Sequence, residues 1–155
     1  EQGGHIVTIG SSTQLAYHLG LPVKDAMVEI VNSEERTLPR DKYFTPGSIL
    51  QMTVDNGQPA TAGLNPQTDI YFNNNPVFKL NPDAVNTGSI KPLAWFGNDL
   101  ILRSGWSWGE AYLKNGITAF EAGVGKGKLF AFGPEIVFRA QSHGTFKFLF
   151  NQLYR

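Results

Sequence analysis

GKGKLFAFGPEIVFRAQSHGTFKFLFNQLYR, Gly125–Arg155, closes the chain and carries its clearest strand and helix signals. Lys128–Phe132 is a short apolar run bounded by glycine, the signature of a buried strand. Gly133 and Pro134 end it, because proline has no N–H for a ladder and glycine permits the sharp bend. After a polar connection, Phe146, Leu149, Phe150 and Leu153 recur at helical spacing and predict one apolar helix face. Thr145 or Ser142 stands where an N-cap is needed. The chain therefore closes strand, loop, helix, and such loops commonly carry function.

Working outward, Ile6, Val7 and Ile9 predict a short β-branched strand that Gly10-Ser11-Ser12-Thr13 turns into a helix. Ser or Thr caps that helix, Leu15, Ala16 and Leu19 face inward, and Gly20 stops it. Ala26–Val31 suits a strand or a helical turn, and Asn32–Arg36 reads as a solvated turn. Ser48–Val54 alternates Ile49, Met52 and Val54 with polar positions, so a strand is expected, and Asp55–Pro59 is a turn signal. Asp69–Phe72 and Pro76–Leu80 read as strands joined tightly by Asn73-Asn74-Asn75, since asparagine tolerates left-handed dihedrals. Ile90–Phe96 predicts a strand ended by Gly97-Asn98, and Gly116–Ala122 another. The glycines of Gly123–Gly127 make a hairpin turn rather than a phosphate cradle, because a strand follows where a cradle needs a helix N-terminus.

At 155 residues the chain suits one domain, burying about 68–70% of its unfolded surface. Thirteen basic and thirteen acidic residues cancel, so the clustered positive charge of a nucleic-acid groove is not expected. The absence of cysteine excludes disulfides, thiolate metal sites and a cysteine nucleophile. No apolar run approaches the roughly 20 residues of a membrane helix. Glu1-Gln2-Gly3-Gly4 reads as a helix end with left-handed glycines, so a strand and helix are expected upstream of a truncated start.

Class I glutamine amidotransferases close with a strand, a His-Pro-Glu step, a loop and a final helix. The run Phe132-Gly133-Pro134-Glu135, then Gly144–Asn151, resembles that framework with Gly133 in the histidine's place. Together with IVTIGSSTQLAYHLGLPV (6–23) and AWFGNDLILRSGWSWGE (94–110), it resembles the amidotransferase-like domains at the C-terminus of secreted bacterial zinc-carboxypeptidase-like proteins. The resemblance spans nearly the whole chain. It implies an α/β, flavodoxin-like three-layer sandwich, N-terminally truncated, with a core at 1–20 and 88–155 and a β-rich insertion at 21–87. It further implies a secreted or periplasmic location, with the rest of the parent peptidase or a second copy as partner; the charge balance and hydropathy above point to neither nucleic acid nor membrane.

On this resemblance the degenerate-site positions are Ser11, Ser12, Gly133 and Glu135. Glu135 keeps the Pro-Glu half of the step, but with Gly133 before it there is no imidazole for the acid to orient. Without a thiolate, hydrolysis of glutamine through a thioester is not expected, nor is any cofactor. None of the three histidines, His5, His18 and His143, opens a His-x-x-Glu pair, so no zinc signature is present. Arg139 and His143 suit an anion or, preferably, anchoring of the loop through backbone carbonyls. Trp106 and Trp108, with Trp95, suit either a sugar platform or aromatic cover over a sheet edge, the second being favoured. The expected function is a non-catalytic accessory domain that packs on its parent or binds a ligand in the degenerate crevice. The alternatives are a serine hydrolase using Ser11 or Ser12 with His143 as base, and a carbohydrate or cell-wall binding module.

Overall fold

Two clusters of buried apolar side chains, one on each face of a mixed β-sheet, organise the computed structural model, which describes residues 3–97 and 100–154. In chain order the elements are β1 (His5–Ile9), α1 (Leu15–His18), β2 (Val23–Asp25), β3 (Val28–Val31), β4 (Glu34–Thr37), β5 (Ser48–Val54), β6 (Gln67–Phe72) and β7 (Phe78–Leu80). Then follow α2 (Pro82–Thr87), β8 (Ile90–Trp95), β9 (Leu102–Ser104), β10 (Ile117–Val124), β11 (Gly127–Phe132) and α3 (Phe146–Leu153). Among the described residues nine strands share one sheet, with the path β1-β11-β10-β8-β5-β6; β2 and β7 pair beside it and β9 lies on β5. β3 and β4 form a separate hairpin.

The strands expected at 6–9, 117–122 and 128–132 lie side by side in this sheet. β1 runs parallel to β11, with Ile9 opposite Phe132, and β10 and β11 form an antiparallel hairpin turned at Gly125-Lys126. Glycine serves there because the turn takes φ of +59°. β10 and β11 are apolar on both faces: Ala119, Phe130 and Phe132 enter one cluster, and Phe120, Ala122, Leu129 and Ala131 the other. Alternation puts successive side chains on opposite faces, so a near-continuous apolar run marks a strand covered on both.

The flavodoxin-like three-layer sandwich does not form. A doubly wound sheet needs parallel strands joined by crossover helices, whereas here β1 with β11 is the only parallel pair among the described residues. Antiparallel neighbours need no helix between them, and the α-helices are only four, six and eight residues long. The stretch 21–87 supplies β2, β5, β6 and β7 to the same sheet as the flanking segments, with β5 hydrogen-bonded to β8.

Smaller expectations are corrected too. In Asn32–Arg36 only Asn32 and Ser33 turn, both at positive φ (52° and 68°), while Glu34–Arg36 already belong to β4. Such a pair of left-handed residues matches the right-handed twist of the flanking strands. On β5 the inward residues are Leu50, Met52 and Val54, with Ile49 on the other face. β6 and β7 are not paired across the Asn73–Asn75 connection, since β6 joins β5 and β7 joins β2 and β10. Neither Thr145 nor Ser142 caps α3 through its side chain. Thr145 Oγ1 instead donates to the Ile136 and Ser142 carbonyls, tying the loop down.

The α3 face is rotated as well. Phe148 and Gln152 are buried, whereas Phe150 and Leu153 are 46% and 60% exposed. Apolar residues occupy so much of this helix that periodicity leaves the facing side open, and packing of Phe148 on Phe132 decides it. The helix-end reading of Glu1–Gly4 and the strand stop at Asn98 involve Glu1, Gln2 and Asn98, which lie outside the described residues, as does Asp99 in the 94–110 motif.

Candidate functional site

Parallel pairing of β1 and β11 sends the two chain segments after them out of the same end of the sheet. Gly10-Ser11-Ser12 and Gly133-Pro134-Glu135 therefore emerge side by side, and a Cβ on Gly10 would stand 3.9 Å from Glu135 Cγ. The structure thus brings Ser11, Ser12, Gly133 and Glu135 together. Their chemistry is otherwise engaged. Ser12 Oγ accepts the Ile9 N–H and donates to the Ile9 carbonyl, both at 2.8 Å, and Thr13 Oγ1 donates to Gly10 O at 2.6 Å. These bonds hold the reversal from strand to helix. Ser11 is exposed at its surface.

Gly133 is the decisive residue here. Its N–H donates to Thr118 O at 2.8 Å. A Cβ at this position would overlap the Pro76 carbonyl oxygen outright and stand 3.0 Å from its carbon and 3.2 Å from Thr118 O. Backbone therefore fills the space that an imidazole would need.

His143 sits elsewhere. It precedes α3 in a turn packed on β6, at the opposite sheet edge from β1. Its Nε2 lies 3.2 Å from Ala140 O and its ring packs on Phe146. Together with Gln141, Asp69 and Tyr71 it lines a surface groove of about 430 Å³. Arg139 lies over the Phe138 ring at 5.1 Å, and Phe138 stacks flat on Tyr71 at 3.8 Å. Neither residue meets Ser11 or Ser12. Among the described residues no group of three or more histidines and carboxylates could hold a metal.

The tryptophans do not share one platform, and two of them are not core cover. Trp106 and Trp108 are 53% and 54% exposed, while Trp95 is half-buried in the second apolar cluster. Trp106 and Trp108 sit where chain 41–44 and chain 106–109 run together: Phe44 and Trp108 exchange backbone hydrogen bonds, and Trp108 Nε1 donates to Asp41 O at 2.7 Å. Trp106 meets Phe44 edge to face.

What sequence reasoning missed is the crevice beside this junction, a cavity of about 320 Å³ lined by Tyr17, Asp25, Arg40, Tyr43, Asn74 and Asn75 among others. Pro76 also lines it, so the backbone that fills the Gly133 position is a wall of the crevice. Tyr17 comes from α1, Asp25 from the end of β2, and Arg40 and Tyr43 from the exit of the β3–β4 hairpin. Asp25 Oδ1 accepts the Met27 N–H at 2.8 Å. Tyr43 is only 7% exposed, and among the described residues its hydroxyl closes no hydrogen bond of good geometry, although Thr45 lies near enough to act on it. Its neighbour Thr45 is engaged with Ser107 at 2.7 Å. No motif links these residues, and only the asparagine run was visible, as a turn.

Burial pushes the Tyr43 phenol up to about 12, with Thr45 pulling the other way and the Asp25 charge adding to the rise. Burial, then Asp25, does the same for Tyr17, again to about 12. Raised phenol pKa values mean that the folded state keeps protons that the unfolded chain releases near 10. Stability is accordingly unaffected below pH 10 and falls as pH climbs from 10 towards 12. Alkaline titration followed with phenolate absorbance checks this: the signal should include Tyr17 and Tyr43 ionising only towards pH 12, or earlier if the fold is lost first.

No family model matches the chain, and no curated protein matches it. Among solved structures it is similar to a β-galactosidase from Bacillus circulans sp. alkalophilus, at a TM-score of 0.53 and 13% identity over 98% of this chain. The match takes in 18% of the β-galactosidase chain, so the present chain spans about a fifth of that protein. It is also similar to a ThuA-like protein from Bacteroides uniformis, with a TM-score of 0.48 and 10% identity over 97% of this chain and 57% of that one. At such identity the first likeness speaks to the fold alone.

Proposed function

We propose that this chain is a non-catalytic accessory module of a larger protein, with the crevice at the strand ends kept for binding. The observation that carries the reading is the Pro76 carbonyl in the space beside Gly133. A base cannot be restored at that position by a rotamer change or a single substitution. The serines nearby spend their hydroxyls on backbone or face solvent, and His143 lies by the other sheet edge. A crevice of small-molecule size remains open alongside. The β-galactosidase likeness supports a modular role at the level of fold, since the similar region is a minor part of a long chain. The resemblance of the sequence to domains of secreted zinc-carboxypeptidase-like proteins supplies the parent we propose. The edge strand β1, where Ile6 is half exposed, is the surface on which that parent or a second copy would pack.

The test treats the purified chain with a serine-reactive fluorophosphonate and, separately, with glutamine. The expected result is no labelling and no ammonia. Stoichiometric labelling at Ser11 or Ser12, abolished by His143→Ala, would establish the hydrolase instead.

A further inference from the structure

We infer that the crevice between Tyr17, Asp25, Tyr43 and Asn75 is a site for a single uncharged, polyhydroxylated ring, a monosaccharide or the end unit of a glycan. This rests on the reading of the crevice as a binding site and adds the chemical class of its ligand. The size argument comes first. About 320 Å³ lies at the small end of ligand sites, which run from ~300 to ~1,000 Å³. One ring fits, and a folded loop of a partner does not.

Charge narrows the class. The crevice holds one carboxylate, Asp25, and one guanidinium, Arg40, which lies over the Phe44 ring at 5.1 Å. An anion meets Asp25 and a cation meets Arg40, so a ligand with a net charge of either sign is disfavoured.

Hydrogen-bonding capacity then selects hydroxyl groups. One oxygen of Asp25 is taken by the Met27 N–H, leaving the other as an acceptor. The side-chain oxygens of Asn74 and Asn75 accept the Thr45 and Asn73 N–H groups at 2.8 and 2.7 Å, so their NH₂ groups remain as donors. Among the described residues the buried Tyr43 hydroxyl closes no good hydrogen bond, and a phenol both gives and accepts. A carboxylate acceptor, amide donors and a phenol that does both match a row of alcohols, each of which donates and accepts at once. The rings of Tyr17 and Phe44 supply apolar wall for the C–H face of a sugar.

A buried hydroxyl that closes no good hydrogen bond is a cost that the free protein carries, and a ligand hydroxyl that pairs with it would remove that cost. Tyr43→Phe is therefore expected to bind worse and yet melt higher, by a few degrees. Asp25→Asn keeps an oxygen for the Met27 N–H, so the turn survives while the charged acceptor is lost.

The experiment records amide shifts of the ¹⁵N-labelled 155-residue chain. Probes are D-glucose, D-galactose, D-mannose and N-acetyl-D-glucosamine, with L-alanine, L-lysine and phosphate as charged comparators, and then a general fragment library. The expected result is saturable shifts at Tyr17, Asp25 and Asn75 with at least one sugar, weakened about tenfold by Asp25→Asn and by Tyr43→Phe. Binding that survives both substitutions overturns the proposal, as does a crevice that responds to no sugar. If the amino acids or phosphate alone shift these residues, the sugar assignment fails while the binding-module reading stands. If no compound in the library shifts them, both fail.

Discussion

Gly133→Ala is expected to destabilise the protein by about 3 kcal/mol, near the top of the usual range for overpacking a filled interior. The reason is space and not backbone conformation, because Gly133 is not among the glycines with positive φ. The added carbon would collide with the Pro76 carbonyl and crowd Thr118 O, and both are backbone atoms that cannot swing aside as a side-chain end would. Their positions are also fixed by partners: Thr118 O accepts the Gly133 N–H, and Val77, the residue after Pro76, bonds Ala26 through its carbonyl. For a chain of this size the melting temperature should fall by roughly 6–12 °C. Gly133→His, which restores the residue of the amidotransferase step, should fare worse and yield little folded protein. Thermal melts of wild type and both variants check this. An alanine variant within about 0.5 kcal/mol of wild type would mean that Pro76 yields easily, and the steric argument for catalytic silence would go with it.

That collision also shows where sequence reasoning stops. The strands β1, β10 and β11 are legible because each is a β-branched or aromatic run closed by glycine, and a local signal of that kind survives into the fold. Gly133 is legible as a missing histidine, but not as a residue with Pro76 against it, since the two stand far apart in the chain and only the sheet brings them together. The same holds for the crevice. Tyr17, Asp25, Tyr43 and Asn75 come from a helix, a strand end and two loops, and no spacing rule connects them. The layer architecture is misread for a related reason. Apolar runs in 21–87 show strands but not their partners, and antiparallel pairing of β5 to β6 and β8 leaves no role for covering helices between them. The exposed Trp106 and Trp108 defeat the expectation of burial because their segment is held to the 41–44 loop by the backbone bonds between Phe44 and Trp108, which leave the rings outside.

Removing Phe148 is expected to cost about 3–5 kcal/mol, the usual range for a buried phenylalanine cut to alanine, while Phe150→Ala should change stability by no more than about 0.5 kcal/mol. The two residues lie two apart on α3, so they point to different sides of the helix. Phe148 is fully buried, its ring centroid 5.3 Å from that of Phe132 at the end of β11. Phe150 is 46% exposed and its ring meets those of Phe146 and Tyr154 along the helix. The buried side is further set by hydrogen bonds to the turn at Pro59–Thr61 and the residues just after it. Gln152 Nε2 donates to Ala60 O at 2.8 Å, Asn151 Nδ2 to Ala62 O at 3.0 Å and Lys147 Nζ to Gly63 O at 2.6 Å. These side chains can reach those carbonyls only when Phe148 faces the sheet. Urea unfolding of both variants, read at the midpoint with the slope checked for constancy, separates the two orientations. A larger loss from Phe150→Ala than from Phe148→Ala would turn the helix back to the face that Phe146, Leu149, Phe150 and Leu153 suggest on spacing alone. Phe132 would then lose its partner, and with it the end of β11 that carries Gly133 to Pro76.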